Sequence, residues 1–378
     1  MKFSFLIYHY FPYGGQQRDL HRIVGECIKR GHEVDVYTIR WQGSVPNNVN
    51  LIVVPVRAFT RVALYKKFTS WVSKALNNTE PGTVVGFNKM PLLDVYFAAD
   101  PCFVEKAELQ RGAYYKFTSR FRHFKHYENE VFGKRQKTQV LILSPQQRQT
   151  FENYYPGSGG RLHELPPGIS LDRKVELRSI EIRQNFRHEF GFNKDALVLL
   201  QIGSGFKVKG VDRTLKAIAS LPNTLKHRTR FILVGQDKSS KFTRLARRLG
   251  VSDQCIILPG RDDIPRFLAG SDVLIHPAYV ESAGYVLLEA TIAGLPVLTT
   301  DTCGYAFHIT KAQSGLVCPS PFKQSDLNAS LSRMLNSLSK EEWSENGLNY
   351  GKAADLYSMP QRAVDLLEKF SKRAYGEA

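Results

Sequence analysis

This chain of 378 residues lacks the sequence signals of several common protein classes. It has no Cys-x-x-Cys pair and its five cysteines are scattered, so neither a zinc site nor a disulfide framework is expected in what we predict to be a cytoplasmic protein. No apolar run reaches the roughly 18 residues that a transmembrane helix needs. The short apolar start contains His9 and Tyr10 and no small-residue cleavage site, which predicts a first strand rather than a signal peptide.

The common nucleotide-binding motifs are also missing. The chain contains neither a full Gly-x-Gly-x-x-Gly nor a Gly-x-x-x-x-Gly-Lys-Ser/Thr, so a dinucleotide site and ATP hydrolysis are not indicated. It has no Asp-x-Asp pair, the commonest mark of a nucleotide-sugar held through a metal ion. We therefore expect no metal and no cofactor. A site that binds a nucleotide-sugar diphosphate without a metal ion must neutralise its charge with Lys, Arg and helix N-termini.

Positive charge, by contrast, is in excess. The 52 Lys and Arg residues against 35 Asp and Glu give a net charge of +17 and a pI near 9.6. This excess predicts an anionic partner, which could be nucleic acid, an acidic membrane face or a polyanionic substrate. No recognised RNA- or DNA-binding module accompanies the charge, so a nucleic-acid-binding protein stays only an alternative.

Short apolar runs rich in β-branched and aromatic residues alternate with helical patterns along the chain. This alternation predicts βαβ units and parallel sheets. Because the chain is longer than one hydrophobic core usually accommodates, we predict two doubly wound α/β domains. The stiff stretch 165–168, Leu-Pro-Pro-Gly, predicts the linker between them. The predicted strands are 3–8, 34–39, 51–54, 84–87, 95–98, 140–143, 197–202, 231–234, 256–258, 273–275, 297–299 and 316–318.

The stretch 279–294, YVESAGYVLLEATIAG, carries two acids eight positions apart. A predicted buried strand precedes it, and the small residues 282–284 can open a helix with uncovered backbone N–H groups. Eight residues make a little over two helical turns, which predicts that Glu281 and Glu289 lie on one side of a helix. A strand, a small-residue turn and a helix bearing an acid commonly grip a phosphorylated ligand. Both acids could equally be ordinary solvated helix residues.

Two places in the first half are candidates for ligand contact. After the first strand, a Gly-Gly pair ending at Gly15 allows a tight turn before a helix that bears Asp19. A plain turn and an acid that complements the helix dipole explain these residues equally well. Asp100 follows a predicted strand, where ligands of α/β sheets gather, although it could simply cap a turn or a helix.

In the second half, the segment QIGSGFKVKG follows a predicted strand and precedes a helix. Gly203 and its neighbours expose backbone N–H groups, and Lys207 and Lys209 offer ammonium groups. This loop is therefore suited to a phosphate.

The segment 106–137 mixes basic and aromatic residues. Its aromatic residues at helical spacing are Tyr114, Phe117, Phe121 and Phe124. With Lys116, Arg120, Arg122 and Lys125 between them, they predict a helix that contacts an anionic membrane surface. The same stripe could instead be buried core beneath a solvated basic face.

Taken together, these motifs resemble the retaining GT-B glycosyltransferases that carry a Glu-x(7)-Glu motif, here Glu281 to Glu289, and within them the lipopolysaccharide core glucosyltransferases. The resemblance runs in order to about residue 306. It implies an α/β GT-B fold of two Rossmann-like doubly wound domains facing a central cleft, with domains at 1–166 and 167–355 and a C-terminal helix, about 356–378, joined to the first. The matching pieces are YHYFPYGGQQRDLHRI, VVGFNKMPLLDVYFAAD, TSRFRHF, LPPGI, KGVDR, VGQDK, HPAYVESAGYVLLEA, AGLPVLTT and CGYA.

The resemblance also implies roles for individual residues. Glu289 is implied to bind the ribose of UDP, Glu281 the sugar ring and Arg261 the uracil. Catalytic roles are implied for Asp19, Asp100, Lys209 and Glu281, and membrane contact for the basic aromatic segment. The donor-binding set is Gly15, Arg173, Gly203, Lys209, Arg261, Glu281, Ala283, Gly284, Tyr285, Val286 and Glu289. Where relatives carry Arg-Lys-Gly, this chain has Val208 before Lys209, so Lys207 or Arg173 would have to supply the missing diphosphate contact.

The function that the resemblance implies is metal-independent, retaining transfer of a hexose or N-acetylhexosamine from a UDP-sugar. UDP-glucose is the family default, UDP-GalNAc is a close competitor, and the acceptor is an inner-core heptose of lipid A-core. The enzyme is expected at the inner face of the bacterial inner membrane as a peripheral protein, with no nucleic acid as partner. Two alternatives stay open, a UDP-sugar epimerase on the same fold and a basic nucleic-acid-binding protein.

Overall fold

The computed structural model describes residues 1–12, 14–80, 82–170 and 180–374. The polypeptide divides into two compact units. The N-terminal unit comprises Met1–Gly168 and Ser358–Ala378, and the C-terminal unit comprises Ile169–Tyr357. The boundary at Gly168 directly follows two prolines, which cannot continue a regular helix or a central strand.

Each unit is built on one parallel sheet. The strands of the N-terminal unit are β1 (Lys2–Tyr10), β2 (Glu33–Trp41), β3 (Val49–Val53), β4 (Thr83–Gly86), β5 (Val95–Phe97), β6 (Gln139–Ile142) and β7 (Leu162–Glu164). Those of the C-terminal unit are β8 (Leu197–Ile202), β9 (Thr229–Val234), β10 (Cys255–Leu258), β11 (Val273–His276), β12 (Val297–Thr300) and β13 (Gly315–Cys318). The orders are β3-β2-β1-β4-β5-β6-β7 and β10-β9-β8-β11-β12-β13. Each order reverses beside the first strand of its unit, which makes both sheets doubly wound.

Helices connect these strands, and none of the described helices is long and apolar enough to cross a bilayer. The N-terminal unit contains α1 (Gly15–Lys29), α2 (Arg61–Asn77), α3 (Phe103–Gln110), α4 (Ser119–Phe132), α5 (Pro145–Tyr154) and, from the end of the chain, α15 (Met359–Ala374). The C-terminal unit contains α6 (Ile180–Glu189), α7 (Val211–Ala219), α8 (Asn223–Lys226), α9 (Ser240–Arg248), α10 (Ile264–Gly270), α11 (Tyr285–Ile292), α12 (Ala306–Ala312), α13 (Gln324–Asn336) and α14 (Lys340–Ala353). An ion pair of 2.8 Å between Arg30 and Asp365 joins the end of α1 to α15.

Local sequence explains where these elements form. Residues 3–8 of β1 are all buried, because a strand inside a parallel sheet is covered on both faces and must be apolar on both. Thr60, Thr118 and Ser144 begin α2, α4 and α5, and each side chain accepts the amide hydrogen of the residue three positions later, at 3.1 to 3.3 Å. Such caps satisfy donors that the helix itself leaves unpaired.

The predicted fold class is confirmed, and every predicted strand is present. The structure adds β7, which was not predicted because only the first of its three residues is buried. Pairing with β6, rather than its own composition, makes this segment a strand.

The prediction of one continuous basic aromatic helix is wrong. Ala113–Phe117 forms a 3₁₀ turn, after which Thr118 adopts an extended conformation and caps α4. Tyr114 and Phe117 are therefore exposed, whereas Phe121 on α4 is buried. The aromatic residues belong to two surfaces because the cap at Thr118 interrupts the helical repeat.

Candidate active site

The C-terminal unit brings two loops together where its strand order reverses. β8 pairs with β9 on one side and with β11 on the other, so the loops at 203–210 and 277–284 leave the sheet side by side. The amide of Tyr279 donates to the carbonyl of Val208 at 2.8 Å and ties the second loop to the first. Ligands of doubly wound sheets bind at this reversal.

Two glycines make the approach of these loops possible. Gly210 has φ 71°, and a Cβ atom there would lie 2.0 Å from the carbonyl oxygen of Pro277. Gly284, directly before α11, has φ 100°. Both conformations are rare for other residues, so the loop that carries Lys209 and the start of α11 depend on glycine at these positions.

Glu281 is the electrostatic centre of the site. Its Oε1 accepts a hydrogen bond from the ammonium group of Lys209, and its Oε2 lies 2.5 Å from Nε2 of His276, which is completely buried at the end of β11. Burial alone would raise the pKa of Glu281, but the charges and hydrogen bonds of Lys209 and His276 outweigh it and lower that pKa to about 2. The site therefore holds an ionised carboxylate against an ammonium group.

The structure corrects the predicted position of Glu281. Because α11 begins at Tyr285, Glu281 lies before the helix and does not share a helical side with Glu289. Its amide donates to Thr302 at 3.1 Å, and its carbonyl accepts from Gly304 at 2.9 Å, which fixes it to the chain after β12. The spacing rule failed because it assumed a continuous helix across residues 281–289.

The low pKa of Glu281 predicts a pH-dependent stability. A folded-state pKa of about 2, against an ordinary 4.5, means that the ionised carboxylate stabilises the fold above pH 4.5 and that this contribution is lost as the pH falls towards 2. We expect the wild type to exceed Glu281→Gln in free energy of unfolding by about 1–3 kcal/mol near pH 7. The difference should shrink between about pH 5 and pH 3. Urea titrations of both proteins across this range measure it, and a pH-independent difference would contradict the assignment.

The first turn of α11 supplies backbone donors beside this ion pair. The amide of Leu287 donates to the carbonyl of Gly284 at 2.9 Å. Four predicted donor-binding residues come just before this bond: Ala283, Gly284, Tyr285 and Val286. Backbone amides at the start of a helix have no acceptor within the helix. These amides and the positive end of the helix dipole favour an anion.

Glu289 lies on the second turn of α11 and is half-buried. Within the described parts of the chain, its side chain makes no hydrogen bond or ion pair. A carboxylate without an internal partner can accept hydrogen bonds from ligand hydroxyl groups.

The remaining predicted donor-binding residues lie at different distances from this centre. A Cβ atom at Gly203 would lie 3.5 Å from Cε of Lys209, so this glycine borders the ion pair. Arg261 follows β10, two strands from the reversal, and binds Asp263 through two hydrogen bonds of 2.7 and 2.8 Å. Lys207 is exposed, and Arg173 lies outside the described residues.

Three side chains of metal-ligand type cluster here. Atoms of His276, Glu281 and Cys303 lie within 4.8 Å of one another. Burial and the neighbouring Glu281 raise the pKa of the Cys303 thiol to about 11, which disfavours the thiolate that metals bind. Lys209 and His276 already bind both oxygens of Glu281, so the arrangement favours an internal ion pair. Sequence reasoning assigned no role to His276 or Cys303; the available signal was a histidine ending a buried strand.

In the N-terminal unit, Gly15 is the first residue of α1, with open space where a side chain would project. Asp19 is buried on the same helix, with its Oδ1 3.9 Å from the guanidinium of Arg22. Asp100 follows β5 and lines a cavity of about 360 Å³. Desolvation by the surrounding protein raises the pKa of Asp100 although its side chain is accessible to solvent, and nearby lysines oppose this rise.

The four predicted membrane-contact residues occupy different environments. Lys116 pairs with Glu108 at 2.7 Å. Arg120 lines the cavity just described. Arg122 and Lys125 are exposed on α4, and Lys116 and Arg120 are exposed as well.

Comparison with known proteins agrees with this architecture. Residues 182–350 match the family model described as Glycosyl transferases group 1. Two Rossmann-like parallel-sheet domains, with a phosphate-suited loop and helix N-terminus at the reversal of the second sheet, define a glycosyltransferase of the GT-B fold.

The particular family follows from closer relatives. The chain is 44% identical to the lipopolysaccharide glucosyltransferase WaaG of Escherichia coli K12 over 365 residues, which are 96% of this chain and 98% of that protein. The crystal structure of WaaG, a glycosyltransferase involved in lipopolysaccharide biosynthesis, matches with a TM-score of 0.91 at 43% identity over 97% of this chain and 99% of that one. The chain belongs to the WaaG family and is a glycosyltransferase of lipopolysaccharide biosynthesis, which confirms the resemblance found in the sequence.

More distant structures share the fold alone. Anabaena HepE, solved in complex with UDP-glucose, has a TM-score of 0.74 at 18% identity and covers 98% of this chain and 100% of its own.

Proposed function

We propose that this enzyme transfers a hexose or N-acetylhexosamine from a UDP-sugar to an inner-core heptose of lipopolysaccharide, with retention of configuration and without a metal ion. The observation that carries the proposal is the Lys209–Glu281–His276 arrangement beside the N-terminus of α11. An ammonium group and helix amides can neutralise a departing diphosphate in place of a metal.

In this proposal the C-terminal unit binds the donor. Glu289 accepts hydrogen bonds from the ribose hydroxyls, and Glu281 holds the sugar ring. The amides of 283–286 and Lys209 take the diphosphate, which Gly203 allows to approach the backbone closely. Arg261 is assigned to the uracil.

The proposed reaction proceeds on one face of the sugar. The acceptor hydroxyl forms its bond to the anomeric carbon as the bond to the diphosphate breaks, and the bonding electrons leave with the diphosphate. A phosphate oxygen takes the acceptor proton, while Lys209 neutralises the charge that develops on the leaving group. In the N-terminal unit, Asp100 binds a hydroxyl of the acceptor, and Asp19 acts as a positioning residue through Arg22.

Two donors fit this proposal. UDP-glucose is favoured because WaaG is a lipopolysaccharide glucosyltransferase and because HepE was solved in complex with UDP-glucose. UDP-GalNAc is the competitor, because Tyr285 adds aromatic surface beside the site, with its ring centre 5.4 Å from that of Tyr305.

A panel of UDP-sugars, offered with a heptose-terminated lipid acceptor in the presence and absence of EDTA, tests this function. We expect one sugar to be transferred with retained configuration and no effect of EDTA. No transfer from any donor would refute the proposal, and loss of activity in EDTA would refute the metal-free mechanism. Consumption of donor without acceptor would indicate the epimerase, and salt-sensitive binding of RNA or DNA without UDP binding would indicate the nucleic-acid-binding protein.

We further propose that the enzyme is cytoplasmic and binds the inner face of the inner membrane peripherally. Tyr114 and Phe117, 88% and 78% exposed, offer apolar contact, and Arg122 and Lys125 offer charge to anionic headgroups. The double variant Arg122→Gln/Lys125→Gln is expected to bind anionic vesicles about 10- to 30-fold more weakly, since each basic residue near such a surface contributes about 1 kcal/mol.

Vesicle sedimentation measures this binding. The charge-matched control is Lys216→Gln/Lys311→Gln, which removes two exposed lysines from the C-terminal unit. Unchanged binding of the α4 variant, or an equal loss in the control, would mean that this surface does not recognise the membrane.

A further inference from the structure

Five cations line the Asp100 cavity of the N-terminal unit. It opens beyond the ends of β4 and β5, between residues of α2, α3 and α4, and its volume of about 360 Å³ suits a monosaccharide with a charged substituent. Arg61, Lys106, Arg111 and Arg120 contribute to its walls. Asp100 is the one carboxylate that the described residues add to this lining.

The positive charge of the cavity walls exceeds the negative charge that Glu128 and Asp100 supply. Lys89, a fifth cation in the wall, has its Nζ 2.6 Å from Oε1 of the buried Glu128 and donates to the carbonyl of Pro101 at 2.7 Å. The other four cations have no ion-pair partner in the part of the chain that the structure describes. Four cations gathered in a recess to which the described residues add one carboxylate, Asp100, attract an anionic ligand.

The walls of this cavity are held in place. Buried Glu128 accepts hydrogen bonds from the amides of Phe103 and Val104, at 2.7 and 3.1 Å, and from the hydroxyl of Tyr155 at 2.8 Å. These bonds fix the start of α3, the helix that carries Lys106. On another wall, the ring of Tyr65 stacks on that of Tyr8 at 3.8 Å. A cavity fixed in this way binds without much loss of conformational freedom.

We propose that this cavity binds an anionic substituent of the acceptor saccharide, which is a phosphate or a carboxylate. This group lies close to the sugar hydroxyl that donates a hydrogen bond to Asp100. This inference rests on the proposed glycosyl transfer. Guanidinium and ammonium groups recognise both anions through charge-assisted hydrogen bonds. Asp100 repels a bare anion, so the ligand must bring a hydroxyl as well as a charge. The rings of Tyr65 and Phe124 offer apolar surface to the face of a sugar.

The test combines cavity variants with chemically altered acceptors. Lys106→Gln and Arg111→Gln remove one cation each from the cavity. The control is Lys74→Gln, because Lys74 is exposed and lies 13 positions beyond Arg61 on α2, about 20 Å along the helix. The acceptors are the intact lipid-linked saccharide, a phosphatase-treated form and a carboxyl-reduced form. Initial rates give the KM for the acceptor and for the UDP-sugar separately.

We expect each cavity variant to raise the KM for the intact acceptor about 10- to 100-fold and to leave the KM for the UDP-sugar within about twofold. Either phosphatase treatment or carboxyl reduction of the acceptor should raise the acceptor KM of the wild type by a similar factor. With that treated acceptor the wild type and the variants should have the same KM, and the effective treatment identifies the anion. An unchanged acceptor KM, or an equal loss on acceptors with and without the charged group, would overturn the proposal.

A second measurement separates this inference from the proposed function. If the wild type transfers sugar to no acceptor, the proposed function fails, and binding alone decides the role of the cavity. Mannose 6-phosphate and glucuronate, which carry a phosphate and a carboxylate, are then titrated separately at millimolar concentration into UDP-saturated protein and followed by NMR. Binding of either probe to the wild type but not to Lys106→Gln would support the anion site, and absence of binding of both probes to the wild type would overturn it.

Discussion

Replacing Lys209 by alanine is expected to reduce turnover about 100- to 1,000-fold while the KM for the UDP-sugar stays within about fivefold. The ammonium group of Lys209 is bound to Glu281 beside the first turn of α11. In the proposed reaction its charge meets a diphosphate whose negative charge grows only as the sugar leaves. An interaction made mainly in the transition state affects turnover more than binding.

Steady-state kinetics with a UDP-sugar and the lipid acceptor measure this effect. Lys216→Ala, an exposed lysine on α7 of the same unit, is the control and should retain full turnover. Removing Lys209 also takes one of two partners from Glu281, so the thermal unfolding of the variant must be compared with that of the wild type. A folded Lys209→Ala enzyme with undiminished turnover would refute the diphosphate role.

Glu289→Ala is expected to lower kcat/KM for the UDP-sugar about 100- to 10,000-fold, mainly through weaker nucleotide binding. Two ribose hydroxyls donating to one carboxylate form two charge-assisted hydrogen bonds, each of which commonly contributes about 1.5–3 kcal/mol. Since Glu289 has no partner among the described residues, its loss should leave the fold intact.

Inhibition constants for UDP and for a UDP analogue without ribose hydroxyls separate this role from a general defect. The wild type should bind UDP much more tightly than the analogue, and Glu289→Ala should bind the two almost equally. Glu345→Ala, an exposed acid on α14, serves as the control. A Glu289→Ala enzyme that still prefers the ribose hydroxyls would show that another residue binds them.

The fold could be predicted from the sequence largely because parallel strands are buried on both faces. Residues 3–8 of β1 read as one apolar run for that reason. β7 carries no such signal, because only its first residue is buried and its backbone pairing with β6 defines it. Thr118 could have been recognised as a helix cap, which would have divided the basic aromatic segment correctly.

The site could be predicted only residue by residue. Small residues before an acid pointed to Glu281, and a glycine loop pointed to Lys209, but the contact between them joins residues 72 positions apart. No local pattern encodes such a contact; it depends on β8 and β11 being neighbours. The position of Glu281 outside the helix likewise depends on the left-handed backbone of Gly284, which spacing alone does not reveal.

The bond between Lys209 and Glu281 also bears on which molecules the site rejects. Each residue is the counter-ion of the other. An isolated phosphate can therefore bind Lys209 only if the ion pair breaks and the largely buried carboxylate of Glu281 loses this partner. An isolated sugar that recruits Glu281 separates the same pair from the other side. A molecule that offers phosphate to Lys209 and hydroxyl groups to Glu281 replaces both partners in one exchange. Discrimination between whole substrates and their fragments is thus a property of the ion pair itself.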